Sequence, residues 1–126
     1  MQVQCFPIHS VLQALDFPGI DYFSLDIEGA EYEVLKTIPL HDSSTTPIKL
    51  FGIETVHAGK VFDGTEQDID TLMNTNSYKY IAKTRLDKFY KKSNGNSENE
   101  SSEIITVSPY FYLLHNNNHI HSQVVY

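Results

Sequence analysis

The sequence predicts an α/β domain whose sheet is largely parallel and ends in an antiparallel pair. Three observations carry this. Short runs rich in β-branched and aromatic residues stand at Ile20–Ile27, Ile48–Glu54 and Tyr78–Ala82. Between them lie segments whose apolar residues recur at helical spacing, the alternation expected of βαβ units with parallel strands. Finally, the polar stretch Ser93–Glu103 is short and flanked by two strand-like segments, so it is expected to join them as a hairpin connection and not to mark a domain boundary.

Taken in order, Ser10 and Gln13 fit a capping box and Val11, Leu12 and Leu15 share a face, which predicts a short helix from Ser10 to about Asp16. Pro18 and Gly19 force a turn. Ile20–Ile27 then reads as a buried strand closed by Glu28 and Gly29. Ala30, Val34, Leu35 and Ile38 repeat at helical spacing, with Glu28, Glu31 and Glu33 where the helix dipole favours acids, and Pro39 ends the run. A polar loop, His41–Pro47, leads to the strand Ile48–Glu54, which contains Gly52. Thr65 can cap a helix whose face carries Ile69, Leu72 and Met73, and Tyr78–Ala82 is the next strand. Ser93–Glu103 has no apolar residue to bury and reads as a flexible loop, Ile104–Leu114 regains strand character, and residues 115–126 form a polar tail. Residues 1–114 thus form one domain.

Composition excludes several classes. Nine Lys and Arg against sixteen Asp and Glu give a net charge of -7, and no basic run offers the surface that nucleic-acid binding requires. No stretch reaches the roughly 18 apolar residues of a membrane span, so the chain is expected to be soluble. Its one cysteine, Cys5, supplies neither an internal disulfide nor a zinc-binding pair. Asn99-Glu100-Ser101 is a glycosylation sequon that matters only in a secretory lumen.

Ligands of doubly wound sheets bind outside the carboxyl ends of the strands, and two clusters fall there. Asp26, Glu28 and Glu31 crowd the first strand-to-helix turn, where Gly29 allows a tight bend or close approach to a ligand. Like charges so close raise at least one pKa, which suits proton transfer or cation binding; the plainer account is that acids stabilise a helix N-terminus by roughly 0.3–1 kcal/mol. Glu54 and His57 close the next strand as a candidate acid and base pair, although a histidine at a strand end is commonly a solvated loop residue. His115, His119 and His121 have the alternation of a shared metal site but lie in the polar tail without support, and no metal site is assigned. There is no Gly-x-Gly loop, Walker loop, nucleophile elbow or His-Glu-x-x-His helix in the sequence.

Val3-Gln-Cys-Phe-Pro-Ile8, the stretch from Ile20 to Pro39 with Asp26, Glu28, Gly29 and Glu31 in an Asp-x-Glu-Gly-x-Glu core, and the strand end at Ile53 and Glu54 resemble the FkbM-type methyltransferase domain, closest to animal Star-like proteins. The resemblance covers most of Val3 to about Tyr90. It implies a Rossmann-like class I methyltransferase fold, of which this chain is the C-terminal half, and S-adenosylmethionine as cofactor of the complete domain. It also implies that Asp26, Glu28 and Gly29 lie near the cofactor, and that Asp26, Glu54 and His57 line the same cleft and carry any catalysis.

In the family, a glycine-rich loop upstream of this region cradles the cofactor. The sequence has no such loop, so no cofactor and no catalysis are expected of this chain alone. Star-like proteins imply a membrane-anchored binding module in vesicle-mediated trafficking, with secretory cargo or trafficking proteins as partners, in the endoplasmic reticulum, Golgi, endosome or plasma membrane. The competing expectation is an S-adenosylmethionine-dependent O-methyltransferase when full length.

Overall fold

The computed structural model describes residues 4–42 and 47–93. Their elements, in chain order, are α1 (Ile8–Ala14), β1 (Ile20–Leu25), α2 (Glu31–Thr37), β2 (Ile48–Glu54), α3 (Glu66–Thr75), β3 (Tyr78–Lys83) and β4 (Asp87–Lys92). The anticipated strand at Ile104–Leu114, the loop from Asn94 to Glu103, the tail and its three histidines, and the Asn99 sequon all lie outside the described residues.

The four strands form one sheet in the order β1-β2-β4-β3. β1 and β2 pair in parallel, Leu25 opposite Ile53, while β4 pairs antiparallel with both β2 and β3. This corrects the expected mostly parallel sheet with a terminal antiparallel pair: β1, β2 and β3 share one direction, and the reversed strand is inserted between two of them. The hairpin partner of β3 is Asp87–Lys92. A tight turn makes that possible, in which the Thr84 amide donates to the Asp87 carbonyl at 2.8 Å and the Asp87 amide donates to the Thr84 hydroxyl at 3.0 Å.

β4 does not read as a strand in the sequence because only Phe89 and Tyr90 of its six residues are apolar. Lys88 is 8% exposed, and its ammonium lies 2.8 Å from Asp70 and 2.6 Å from Glu66, both on α3. Burial works against this cation, but Asp70 and Glu66 more than offset it and hold its pKa above the ordinary lysine value. The Tyr90 hydroxyl donates to Asp70 at 2.7 Å, so one acid on α3 anchors two residues of β4.

Helices α2 and α3 cover one face of the sheet. Leu35 from α2 and Ile69 and Met73 from α3 pack with Leu25, Phe51, Ile53, Tyr78 and Tyr90 in a single apolar cluster. The period of the helices thus meets the period of two along β2, which places Phe51 and Ile53 on the same side. α3 starts where the sequence indicates, at Thr65, whose hydroxyl accepts from the Asp68 amide while Asp68 accepts from the Thr65 amide.

Two local expectations need correction. Ser10 does not cap α1; the helix begins at Ile8 with Pro7 as N-cap, because the fixed φ of proline (here -59°) sets the entry and its carbonyl accepts from the Ser10 amide. Nor is β1 buried along its length. It is the outer strand of the described sheet, and Asp21, Tyr22 and Ser24 are exposed while Leu25 alone is fully buried.

Candidate functional site

β1 and β2 run side by side in the same direction, so their carboxyl ends deliver two turns to one place. The turn after β1 contains Glu28 at φ 60° and Gly29 at φ 107°. Two successive residues at positive φ bend the chain sharply enough to start α2 at Glu31, and a non-glycine residue in this region costs of order 1 kcal/mol. The bend is held by the Glu31 side chain. Its Oε1 accepts from the Ile27 amide at 2.8 Å and from the Gly29 amide at 3.1 Å, and the residue is only 1% exposed.

The turn after β2 brings His57 back over the end of its own strand. His57 Nδ1 lies 3.1 Å from Glu54 Oε1 and 3.3 Å from Glu28 Oε2, so the imidazole joins the two turns. Glu54 is 5% exposed, whereas about two-fifths of the His57 side chain remains accessible (39%). Burial pushes the Glu54 carboxyl above its ordinary value; the hydrogen bond from His57 opposes this, and the Asp26 and Glu28 charges reinforce it.

The structure therefore brings together every site residue inferred from sequence. Asp26, Glu28 and Gly29 form the first turn and Glu54 and His57 the second, with Glu28 reaching His57. Carboxylate oxygens of Asp26, Glu31 and Glu54 come within 4.8 Å of one another, and ligand atoms of Glu28, Glu54 and His57 do the same. Glu31 belongs to this site more firmly than its place in a helix N-terminus suggests. The signal for it was its place directly after the Glu28-Gly29 bend, from which its carboxylate reaches back to the Ile27 and Gly29 amides of the turn.

Residues 1–81 match the methyltransferase FkbM domain, well over half of the chain. The chain belongs to the FkbM methyltransferase domain family. No curated protein and no solved structure matches it. The match ends within β3, so it spans both turns of the acidic site and stops short of β4. It does not distinguish Star-like proteins from the rest of the family, and it lends no support to a trafficking role or an organelle. Among the described residues no helix is long and apolar enough to cross a membrane.

The family points to S-adenosylmethionine as cofactor of the complete FkbM domain. The described residues do not by themselves fit it. A cavity of about 300 Å³, lined by His9, Leu35, Pro39, Leu72 and Asn76 among others, lies at the carboxyl ends of α2 and α3 and includes none of the acidic residues of the two turns. No glycine-rich cradle stands beside those turns among the described residues; Gly29 is taken up by the close approach to His57. A Cβ added at Gly29 would lie 3.0 Å from the His57 carbonyl oxygen.

Two outcomes follow from this geometry. Gly29→Ala is expected to cost about 1–3 kcal/mol, because alanine disfavours φ 107° and its methyl group presses on the second turn. Urea unfolding measures the loss, and a cost below about 0.5 kcal/mol would show that the turns are not in contact. For Glu54 the sign is set by its raised pKa. Stability associated with the protonated form is fully present below the ordinary value of 4.5 and is lost as pH rises through the higher folded-state value. With divalent cations chelated, Glu54→Gln is therefore expected to melt a few degrees above the parent at pH 7, the difference closing as pH falls below 4.5. A melting temperature unchanged or lowered at pH 7 contradicts the assigned burial of charge.

Proposed function

We propose that this FkbM domain, in its complete form, methylates a hydroxyl group, and that the described residues supply the acceptor side of that reaction. The observation that carries the reading is the His57 Nδ1 to Glu54 Oε1 contact at 3.1 Å, made at the adjoining carboxyl ends of two parallel strands. S-adenosylmethionine would supply the methyl group; what these residues supply is a base and its orientation.

Carboxylates of Glu54 and Glu28 flank Nδ1, which favours the tautomer with the proton on that nitrogen. Nε2 then carries the lone pair, and the accessible part of the ring can accept the proton of an acceptor hydroxyl. Glu54 is a positioning residue in this scheme: buried, at the rigid end of β2, it fixes the ring and stabilises the imidazolium formed. A positioned base of this kind typically contributes 10²–10⁴-fold to a rate, so it matters only with an acceptor whose hydroxyl must lose its proton.

The test is transfer of a labelled methyl group from S-adenosylmethionine to candidate hydroxyl acceptors by the complete domain. Transfer that falls by about 10²-fold or more in His57→Gln, with cofactor affinity kept, supports the reading. A complete domain that binds no S-adenosylmethionine at millimolar concentration defeats it.

A further inference from the structure

The turn after β1 and the end of β2 hold more negative charge than their neighbours satisfy. Glu31 and Glu54, at 1% and 5% exposure, each keep one carboxylate oxygen, Oε2, buried without a hydrogen-bond partner. Among the described residues, the ion pairs made by Asp26, Glu28, Glu31 or Glu54 all go to His57, and no lysine or arginine reaches them. A buried carboxylate with one oxygen left unsatisfied is costly, and two beside a third acid call for a counter-charge.

We infer that Asp26, Glu31 and Glu54 form a site for a hard divalent cation of the Mg²⁺, Mn²⁺ or Ca²⁺ class. Two features of the geometry point to it. Oxygens bound to one such ion at about 2.0–2.6 Å can be no more than about 4–5 Å apart, and one carboxylate oxygen from each of these residues meets that limit, within 4.8 Å of the others. Both buried acids divide their oxygens in the same way: Oε1 of Glu31 is fixed by the Ile27 and Gly29 amides and Oε1 of Glu54 by His57, while each Oε2 has no protein partner. One oxygen orients and the other is available as a ligand, an arrangement in which little order remains to be imposed when the ion binds.

The donor set decides the class of ion. Three carboxylates and no thiolate select a hard cation, and the imidazole, engaged through Nδ1 by Glu54, acts behind a ligand and not as one. The other way to relieve the pair of buried acids is a proton on Glu54. A proton neutralises a single carboxylate and gives no affinity for metal, so the two accounts separate in a binding experiment.

The site does not depend on methyl transfer, and its test needs no activity. The full chain, freed of metal by chelation, is titrated with Mn²⁺ while the resonance of the free aqueous ion is followed by electron paramagnetic resonance, with Mg²⁺ and Ca²⁺ as competitors. Expected is one saturable site per chain, weakened about tenfold or more in each of Glu54→Gln, Glu31→Gln and Asp26→Asn, and unchanged in Asp63→Asn, an exposed acid elsewhere. Far-UV circular dichroism checks that each variant is folded; Glu54→Gln, which leaves the first turn's hydrogen bonds intact, decides the matter where Glu31→Gln is not. No saturable binding below about millimolar Mn²⁺, or binding that Glu54→Gln leaves intact, overturns the site. Binding lost in His57→Gln but kept in Asp26→Asn and Glu31→Gln also overturns it, because the ligands would then be a different set.

Discussion

Phe51→Ala is expected to destabilise the domain by about 3–5 kcal/mol, the usual cost of emptying a buried aromatic site. Phe51 is fully buried in β2, edge-on to Phe23 with ring centroids 5.5 Å apart and to Tyr78 at 5.2 Å, so its ring ties β1 and β3 to the strand between them. Since small domains are stable by only about 5–15 kcal/mol, the variant should be partly unfolded at room temperature or close to it. Urea unfolding should show a lower midpoint with unchanged slope, and Phe51→Leu, which retains most of the volume, a smaller shift. A loss under about 1 kcal/mol would mean that the core is centred elsewhere. Three residues further along the same strand stands Glu54, so the packing that fixes Phe51 also fixes the acidic site.

Gly64→Ala should be nearly as damaging, at about 3 kcal/mol, for a different reason. Gly64 adopts φ 98°, and a Cβ there would overlap the Cβ, Cγ and Cδ1 of Tyr32 on α2. Backbone strain and overpacking each cost about 1–3 kcal/mol, and both apply. The steric share can be isolated: in a Tyr32→Ala background the methyl group has room, so Gly64→Ala should cost less there, leaving the backbone share. Equal costs in both backgrounds would show that the contact with Tyr32 is not what constrains the loop. Between β2 and α3 this loop is held at Gly64 by α2 and at His57 by the turn of Gly29, so the substitution should also shift the His57 resonances in an NMR spectrum.

Much of this was legible beforehand, element by element. The Thr65 cap of α3, the stop at Pro39 and the apolar spacing of Leu35, Ile69 and Met73 are local signals, and tertiary packing agrees with them. Asp26, Glu28, Gly29, Glu54 and His57 could be named because parallel strands carry functional residues at their carboxyl ends, and chain order alone places those ends. β4 could not be read, since only Phe89 and Tyr90 of its six residues are apolar and the partners of its buried Lys88, Asp70 and Glu66, lie on a helix about twenty residues earlier. The Ser10 capping box failed because a proline three residues earlier had already begun the helix.

The sequence by itself determined the types of the elements before β4, the family and the residues at the two strand ends, because each follows from periodicity, turn chemistry or a contiguous motif. Only the tertiary structure decided that β4 inserts between β2 and β3, that Glu31 is buried with one oxygen held by backbone amides, and that Glu28 and Glu54 converge on His57. Those facts depend on which groups lose water and which find partners across the fold, and neither is a property of a residue's neighbours in the chain.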